Sequence, residues 1–523
     1  MDSRHRPRLQ EARTRLRRFW DRLGPLRSRV RSRFAVDTRS LAAMRIALGL
    51  TLLVDLIHRA GSMGLFYTDQ GVYPLAVYSV TWGSYNGLSL HALSGALWAQ
   101  QLLFILAGLF AVAFALGYRT RLAGVISLIL LFSLHARTPG VLNGGDRLLR
   151  VILFVGLTTP LGERWSIDAL RRGSARSTVA SFGTAAVLVQ PLIVFVSNAI
   201  LKHEGELWYA GEALEVALKN DVMTILLGDV VANYPTLTMV LNYGWIILLS
   251  GSVLFLLVPV GWPRALAALA YIGAFAGMLV TMTVGIFPLG LIAAVLPFLT
   301  APFWDALTRR VPDGWRDRLP TAADLGPLRR PPVERRLLDG LRARGHAFAA
   351  SYAVSYAQSL LTIIGLLVLI WMLMFASADV SDYSVPDEID YDHLDQQSWG
   401  LYAPDPSESY SWYVVDAELG NETVIVDLEG TADGFDHPPD AAASYDTFRH
   451  RKYMQKVRRS SEDDTTDEVI EAYVDYACRQ ASADHDRPVD QVTLYRIYQP
   501  SPLDGDYDGT RTIPLIEWDC QAS

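Results

Sequence analysis

The stretch 96–117, ALWAQQLLFILAGLFAVAFALG, decides the class of this protein. It contains no charged residue, and about 20 apolar residues are enough for a helix to cross a bilayer. Backbone groups in lipid must be hydrogen-bonded within their own segment, so such runs predict helices. The chain has about nine runs of this kind and is therefore predicted to be an all-α polytopic membrane protein. The other predicted spans are 40–58, 121–138, 146–161, 181–203, 236–259, 262–281, 283–303 and 353–376.

Composition supports this class. The chain has 523 residues, a mean hydropathy of +0.20 and only 19% charged residues, which is unusual for a soluble multidomain protein. Two cysteines are too few for a disulfide-rich scaffold or a thiolate metal cluster, and no metal site is predicted. One disulfide between Cys478 and Cys520 stays possible in an oxidising exterior.

The charges are placed asymmetrically along the chain. Residues 1–34 carry 12 Arg against 3 acids, and residues 305–350 carry 10 Arg against 6 acids, whereas residues 377–523 carry 33 acids against 10 bases. Arginine-rich loops stay in the cytoplasm, so the N-terminus is expected inside and the C-terminal domain outside the cell membrane. The Arg-rich start is expected to face lipid headgroups, and nucleic-acid binding is not expected.

These features divide the chain into five parts. They are an Arg-rich cytoplasmic segment (1–37), a membrane domain of about eight helices (38–304), a basic cytoplasmic loop (305–350), a last transmembrane helix (351–376) and an acidic extracellular domain (377–523). The acidic domain is predicted to be α+β, with a hairpin over 412–428 around Gly420-Asn421, helices over 441–459 and 464–481, and strands over 492–498 and 512–518.

The acidic composition also suggests a source. Four lysines in the whole chain, together with many acids, are typical of a haloarchaeal protein from a high-salt environment. For the acidic stretch 380–397, a solvated surface is favoured over a cation site, because the spacing lacks an EF-hand pattern.

Two groups of charged residues near membrane depth are candidates for function. Asp55 and Arg59 are spaced to pair on one helix face. Asn143, Asp146, Arg147 and Arg150 surround a predicted helix start, where amide groups favour an anionic substrate. Structural pairing and helix capping are the alternatives for these residues.

Lys202 is the sharpest single candidate, because the chain otherwise uses Arg almost everywhere. A desolvated lysine acts as a base or nucleophile, whereas arginine stays protonated. The alternative is a lysine that extends from the helix end to water. His203 is a candidate partner of Lys202, with exposure to water as the alternative, and Trp208 is a candidate substrate-binding residue. The predicted topology brings the Asp146–Arg150 group, His135, the loop 60–95 and Lys202-His203 to the external side, where they are hypothesised to line one pocket beneath the acidic domain.

Several motifs together resemble the HTTM family, the horizontally transferred transmembrane domain related to vitamin K-dependent gamma-carboxylases. The resemblance covers roughly residues 38–304. The matching stretches are 41–46 (LAAMRI) with Gly49 and Asp55, 67–72 (YTDQGV), 117–121 (GYRTR), 133–137 (SLHAR), 143–147 (NGGDR), 160–162 (PLG), 165–168 (WSID), and Lys202 with Trp208 and Gly211.

The resemblance implies a cytoplasmic start, a luminal or external C-terminal domain, and a lysine base that deprotonates a reduced quinone. Lys202 matches that lysine, although this chain has Lys202-His203 where the family has a lysine pair. The implied cofactor is reduced menaquinone. The histidine that carboxylases carry after their Trp-Asn-Asn falls on Gly145 here, and the segment 397–406 is similar to the linker that follows the last helix in prokaryotic HTTM proteins.

Two functions follow as hypotheses. The first is quinone-dependent carboxylase or oxygenase chemistry at an outward-facing pocket, with Lys202 as the base and Asp146 and the arginines positioning an anionic substrate. The alternative is a non-enzymatic membrane scaffold for secretion or maturation of an exported peptide or protein. Transport is less favoured, because the sequence shows no internal repeat.

Overall fold

The computed structural model describes residues 28–81, 87–310, 312, 360, 363–374, 400–462, 468–503, 507 and 509–521. The acidic stretch 380–397 and most of the segments 1–37 and 305–350 lie outside these residues, so the predictions made for them are untested. The helices are α1 (Thr38–Gly61), α2 (Met63–Tyr67), α3 (Leu75–Thr81), α4 (Leu97–Leu116), α5 (Thr120–Arg137), α6 (Gly144–Leu157), α7 (Ile167–Arg172), α8 (Phe182–Lys202), α9 (Leu207–Ala210), α10 (Ala213–Leu218), α11 (Gly228–Ala232), α12 (Pro235–Ser250), α13 (Trp262–Thr281), α14 (Phe287–Val295), α15 (Ala301–Arg310), α16 (Ile363–Met374), α17 (Phe448–Glu462) and α18 (Glu468–His485).

The strands form two small sheets. They are β1 (Val36–Asp37), β2 (Thr178–Val179), β3 (Ser409–Leu419), β4 (Glu422–Val426), β5 (Gln491–Pro500) and β6 (Arg511–Asp519). β1 pairs with β2, and the C-terminal strands form an antiparallel sheet in the order β4-β3-β5-β6. The protein is thus mostly helical with a small C-terminal sheet, as predicted.

Five helices among the described residues are long and apolar enough to cross a membrane: α1, α4, α5, α8 and α13. A sixth span is possible if α14 and α15 count together, although the chain bends by 100° between them. The predicted number of nine is therefore not confirmed. The predicted runs at 146–161, 236–259 and 283–303 are apolar, but α6, α12 and α14 within them are shorter than a bilayer-spanning helix requires.

The arginine-rich loops meet at one end of the helical bundle, here called the basic end. Buried Arg45 joins them, because its guanidinium donates hydrogen bonds to the carbonyl oxygens of Ala115 (3.2 Å), Leu161 (3.0 Å) and Arg164 (3.0 Å). Arg264 donates to the carbonyl of Arg33 at 3.0 Å at the same end. The described arginine-rich loops thus share one end of the bundle, and the side of the membrane that this end faces stays a prediction.

The C-terminal domain packs on the opposite end, here called the domain end. The Arg451 guanidinium donates to the carbonyls of Val222 (3.1 Å) and Thr283 (3.0 Å), and the ring of Phe66 lies 5.1 Å from that of His450. The loops after α1, after α8 and after α13 thus share one surface with α17. The external position predicted for these loops stays a prediction.

The C-terminal domain has a core built from its sheet and α18. Trp412, Leu494 and Ile497 of the sheet and Ala477 of α18 are fully buried. The predicted hairpin is confirmed, since β3 and β4 flank Gly420-Asn421. The Cys478–Cys520 disulfide is formed and ties α18 to the end of β6.

One predicted helix of this domain begins later than expected. The sequence predicted a helix from residue 441, but α17 begins at Phe448. The Thr447 hydroxyl accepts a hydrogen bond from the amide of Arg449 at 3.2 Å, as a threonine at a helix N-terminus commonly does. The local cap therefore fixes the start of the helix that carries the Arg-rich contacts.

Candidate functional site

Lys202 ends α8 and lies buried at the domain end, with 1% of its surface exposed. Its Nζ donates hydrogen bonds to the carbonyl oxygens of Leu401 (2.8 Å) and Tyr402 (2.6 Å). The same nitrogen lies 3.6 Å from the centre of the Trp208 ring, a distance suited to a cation–π contact. Lys202 therefore does not extend into water, and Trp208 is in direct contact with it.

The linker into the C-terminal domain, residues 400–406, makes several further contacts with α8, with α9 and with the loop between them. The Trp208 indole donates to the carbonyl of Tyr402 at 3.0 Å, and the Asn198 amide donates to that of Leu401 at 3.2 Å. The Asp405 carboxylate accepts the backbone amides of residues 206 and 207 at 2.8 and 3.1 Å. Burial raises the pKa of the Tyr402 phenol. No local sequence pattern predicts the contact between this linker and Lys202, because about 200 residues separate the partners.

A cavity of about 980 Å³ lies beside Lys202. Its walls come from α8, α10, α12, α13, α14 and the linker, and most of the lining side chains are apolar. Lys202, Asn198, Trp208 and Asn242 supply polar groups. This combination of a large apolar volume with a few polar groups is typical of a small-molecule site.

His203 does not share the environment of Lys202. Its side chain is exposed, and its ring stacks on Tyr209 with centroids 5.3 Å apart. The role predicted for His203 stays a prediction.

A second group of buried residues forms what we call the ionic cluster: Asp55, Arg59, His135, Asp146 and Arg449. Arg59 binds Asp55 at 2.9 Å and Asp146 at 2.7 Å, and it also donates to the Tyr67 hydroxyl at 2.7 Å. The predicted Asp55–Arg59 pair is thus confirmed. All the charged side chains of this cluster are at most 2% exposed.

Arg449 enters the ionic cluster from the C-terminal domain. It binds Asp146 at 2.9 Å through Nη2 and at 3.2 Å through Nη1, and Nη2 also binds Asp55. Two carboxylates therefore face two guanidinium groups, and their formal charges cancel. Sequence reasoning missed Arg449, although six of the ten bases in the acidic domain lie within residues 449–459 and marked that stretch.

His135 completes the ionic cluster without a strong partner. Its Nε2 lies 3.5 Å from Asp146, and neither ring nitrogen makes a hydrogen bond within the described residues. Asp55, His135 and Asp146 have ligand atoms within 4.8 Å of one another, a spacing compatible with a metal ion. However, Arg59 and Arg449 already neutralise both carboxylates, which disfavours a further cation.

Asn143 caps the start of α6 and so has a structural role. The Asn143 side chain accepts the amides of Gly145 (2.8 Å) and Asp146 (3.2 Å), and Asp146 accepts the amide of Asn143 at 2.8 Å. This reciprocal pattern is a capping box. The Asp146 carboxylate is therefore used by the cap and by two arginines, rather than left open for a substrate.

Arg147 and Arg150 are half-buried on α6. Arg147 lies near Lys452, and Arg150 lies near His135. Neither arginine lines the cavity beside Lys202 among the described residues, and the same holds for His135 and Asp146. The predicted single pocket is thus replaced by two neighbouring features, the cavity and the ionic cluster.

Phe287 lies between the cavity and the start of α6. It lines the cavity, and its backbone nitrogen would lie 2.6 Å from a Cβ atom added at Gly145. A side chain at Gly145, the position on which the resemblance to carboxylases places their histidine, would therefore require movement of the Phe287 backbone.

Comparison with known proteins agrees with the resemblance seen in the motifs. No curated protein and no solved structure matches the chain. A family model described as the HTTM domain matches residues 34–304, from just before β1 into α15, which is more than half of the 523 residues. This region contains Lys202, the cavity lining except Leu401 and Tyr402, and every member of the ionic cluster except Arg449, and the chain belongs to the HTTM family.

Proposed function

We propose that this membrane protein binds a quinone-sized, membrane-soluble ligand in the cavity beside Lys202, and that Lys202 exchanges a proton with the polar group of that ligand. The observation that carries the proposal is a buried lysine amine at the wall of an apolar cavity of about 980 Å³. A volume of this size accommodates a ligand of drug size or larger.

Reduced menaquinone, the cofactor that the family resemblance implies, suits this cavity in chemical type. The apolar walls of α12 and α13 would hold an isoprenoid tail, and Asn198, Lys202 and Trp208 would lie near a polar ring. When bound, a reduced quinone supplies electrons and an ionisable hydroxyl group.

The contacts of Lys202 are compatible with proton exchange. An ammonium group has three N–H donors, whereas a neutral amine keeps two. The carbonyls of Leu401 and Tyr402 use two donors, so both hydrogen bonds persist in either state. The third position on Nζ is the one that gains or loses a proton. Arginine has no comparable neutral state at ordinary pH.

Carboxylation of glutamate is a less direct proposal than quinone binding. The residue at the family histidine position is Gly145, and Phe287 fills the adjacent space. We therefore place quinol binding and oxidation first, and we treat carbon dioxide transfer as an outcome to be tested. No contact among the described residues favours the scaffold alternative over ligand binding.

Ligand binding is tested by filling the cavity. Gly277 on α13 lines the cavity, and a Cβ atom added there meets nothing within 4 Å. Gly277→Phe should place a ring in the cavity and reduce menaquinone binding at least tenfold, measured by native mass spectrometry of the purified chain. Gly108 on α4 has the same open surroundings and does not line the cavity, so Gly108→Phe is the matched control and should bind like wild type.

Proton exchange is tested by oxygen uptake and labelled-bicarbonate fixation with reduced menaquinone. Lys202→Ala and Lys202→Arg should both lose oxygen uptake, because neither side chain accepts a proton. Lys219→Ala is the control, since Lys219 pairs with Glu215 at 2.9 Å and does not line the cavity. Label fixed on peptide would add carboxylation. Wild-type protein that binds menaquinone but takes up no oxygen would refute the catalytic role of Lys202 and leave a binding function.

A further inference from the structure

A second cavity, of about 460 Å³, lies at the basic end of the bundle, opposite the C-terminal domain. It is formed by the start of α5, the end of α6, the loop 159–163 and α7. We call it the arginine pocket, because Arg119, Arg121, Arg172 and Arg176 line it. It shares no residue with the cavity beside Lys202, so its role is independent of the function proposed above.

The two acids in the arginine pocket are already used by the protein. Asp168 accepts the amides of Arg119 (3.0 Å) and Thr120 (2.8 Å), and it thereby caps the start of α5. Glu163 is mostly buried and accepts hydrogen bonds from the amide (2.9 Å) and the guanidinium (3.1 Å) of Arg176. Four guanidinium groups against two carboxylates leave the pocket with net positive charge.

Two of the arginines face solvent. Arg172 has 43% of its side chain exposed and lies 3.6 Å from Glu163, and its Nε and Nη2 donate to the backbone carbonyls of Ser174 (3.2 Å), Gly162 (3.2 Å) and Glu163 (3.3 Å). Arg121 is exposed and makes no ion pair with the described residues. A planar guanidinium donates two parallel hydrogen bonds to a phosphate, which is why arginine is favoured for phosphate recognition.

The rest of the arginine pocket is apolar and lies at the surface of spanning helices. Leu122 belongs to α5 and is 50% exposed, and Leu157 and Leu161 continue the apolar lining. Trp165 is 49% exposed nearby and packs against Trp304 with centroids 5.2 Å apart. Tryptophan is enriched at the membrane–water interface, so an exposed Trp165 beside the pocket favours a position near the lipid headgroups.

We propose that the arginine pocket binds the phosphate group of an anionic membrane lipid. The positive charge recognises the phosphate, and the leucines contact the first part of the acyl or isoprenoid chains. Basic pockets between the ends of transmembrane helices bind anionic headgroups by the same combination of charge and apolar surface. A free phosphate shares the charge but gains nothing from the leucines.

The test uses the purified full-length chain and native mass spectrometry with added phosphatidylglycerol, phosphatidylcholine or glycerol 1-phosphate. We expect phosphatidylglycerol to bind at least tenfold more tightly than the other two. Each arginine near a membrane surface contributes about fivefold to binding of an anionic lipid. Arg121→Gln should therefore weaken phosphatidylglycerol binding about fivefold, and Arg121→Gln with Arg172→Gln should weaken it by at least about tenfold.

The matched control is Arg309→Gln with Arg310→Gln. Both residues are exposed on α15 at the same end and lie outside the pocket, so this variant has the same change in net charge. Retained binding in the control supports the proposal. Equal losses in both double variants would indicate general attraction and overturn it, as would equal binding of phosphatidylcholine. Glycerol 1-phosphate binding as tightly as the lipid would assign the pocket to a soluble phosphate instead.

Discussion

The ionic cluster predicts an unusual pattern of mutational effects, in which two damaging substitutions compensate each other. Asp146 belongs to the membrane domain, whereas Arg449 belongs to the C-terminal domain, and their side chains are at most 2% exposed. The perturbations are Arg449→Met, Asp146→Leu and the double variant. Methionine and leucine roughly fill the volumes of the side chains that they replace.

The magnitudes follow from the number of charges left behind. Without Arg449, two buried carboxylates face Arg59 alone, and without Asp146, two buried guanidinium groups face Asp55 alone. Removing one partner of a buried ion pair costs about 3–5 kcal/mol, whereas replacing the whole pair by apolar side chains is often neutral. The double variant keeps the Asp55–Arg59 pair at 2.9 Å and is again neutral. Its free energy of unfolding should exceed that of either single variant by about 3 kcal/mol.

Thermal unfolding of the purified full-length chain measures the order of stability among the two single variants and the double variant. Melting temperatures are enough to rank the three proteins, even where unfolding is irreversible. The control pairs Asp146→Leu with Arg451→Met, because Arg451 lies on the same helix but donates to backbone carbonyls instead of Asp146. Substitutions that share no partner should be additive. A melting temperature of the Asp146→Leu, Arg449→Met variant that falls by the sum of the two single shifts would refute the reasoning.

Three further predictions concern other parts of the chain. Gly145→His should strongly lower the melting temperature, because the added Cβ atom would lie 2.6 Å from a backbone nitrogen at the start of α14. Gly144→Ala is the control and should have little effect, because its Cβ atom would have its nearest contact at 3.8 Å. Reducing the Cys478–Cys520 disulfide, whose partners are 42 residues apart, should destabilise the C-terminal domain by about 4 kcal/mol in the chain-entropy estimate, measured by denaturant unfolding. Burial and neighbouring arginines lower the pKa of Lys452 from 10.5 to about 8, so the cost of burying its charge is fully present below pH 8 and disappears as pH rises to about 10.5. Lys452→Met should therefore raise the melting temperature at pH 7, and this gain should shrink as pH approaches 10.5; a gain independent of pH would contradict it.

The features that the sequence predicted well depend on local patterns. Alternation around Gly420-Asn421 predicted the hairpin of β3 and β4, and the strands predicted over 492–498 and 512–518 lie within β5 and β6. Arginine-rich loops marked the basic end. Each of these signals is contained in a few neighbouring residues, so a single sequence is enough to detect it.

The number of membrane spans was harder to predict from the sequence, because a hydropathy pattern does not detect breaks in a helix. The run 236–259 is apolar throughout, but α12 ends at Ser250 and a short π-helical turn follows. The run 283–303 contains the 100° bend between α14 and α15. Apolar composition shows that a segment is buried in lipid or protein, but continuous backbone hydrogen bonding decides whether it crosses the membrane as one helix.

The site was predicted only in part, because its essential contacts join distant segments. Lys202, Asp146 and Arg59 stand out by their residue types at membrane depth, but their partners do not. Arg449 lies 303 residues from Asp146, and Leu401 lies 199 residues from Lys202. Without the three-dimensional structure, Asp146 looked available to a substrate, whereas two arginines and a helix cap already occupy it.

These long-range contacts make the C-terminal domain part of the candidate site. The linker residues Leu401 and Tyr402 line the cavity and accept both hydrogen bonds of the Lys202 amine. Arg449 fixes the same domain to the membrane helices through Asp55 and Asp146. We therefore expect the proton exchange proposed for Lys202 to depend on the linker that holds the amine in place. Weakening the ionic cluster by Arg449→Met should then reduce any Lys202-dependent oxygen uptake, although Arg449 contacts neither the cavity nor Lys202. Unchanged uptake by folded Arg449→Met protein would separate the linker contact from the docking of the domain.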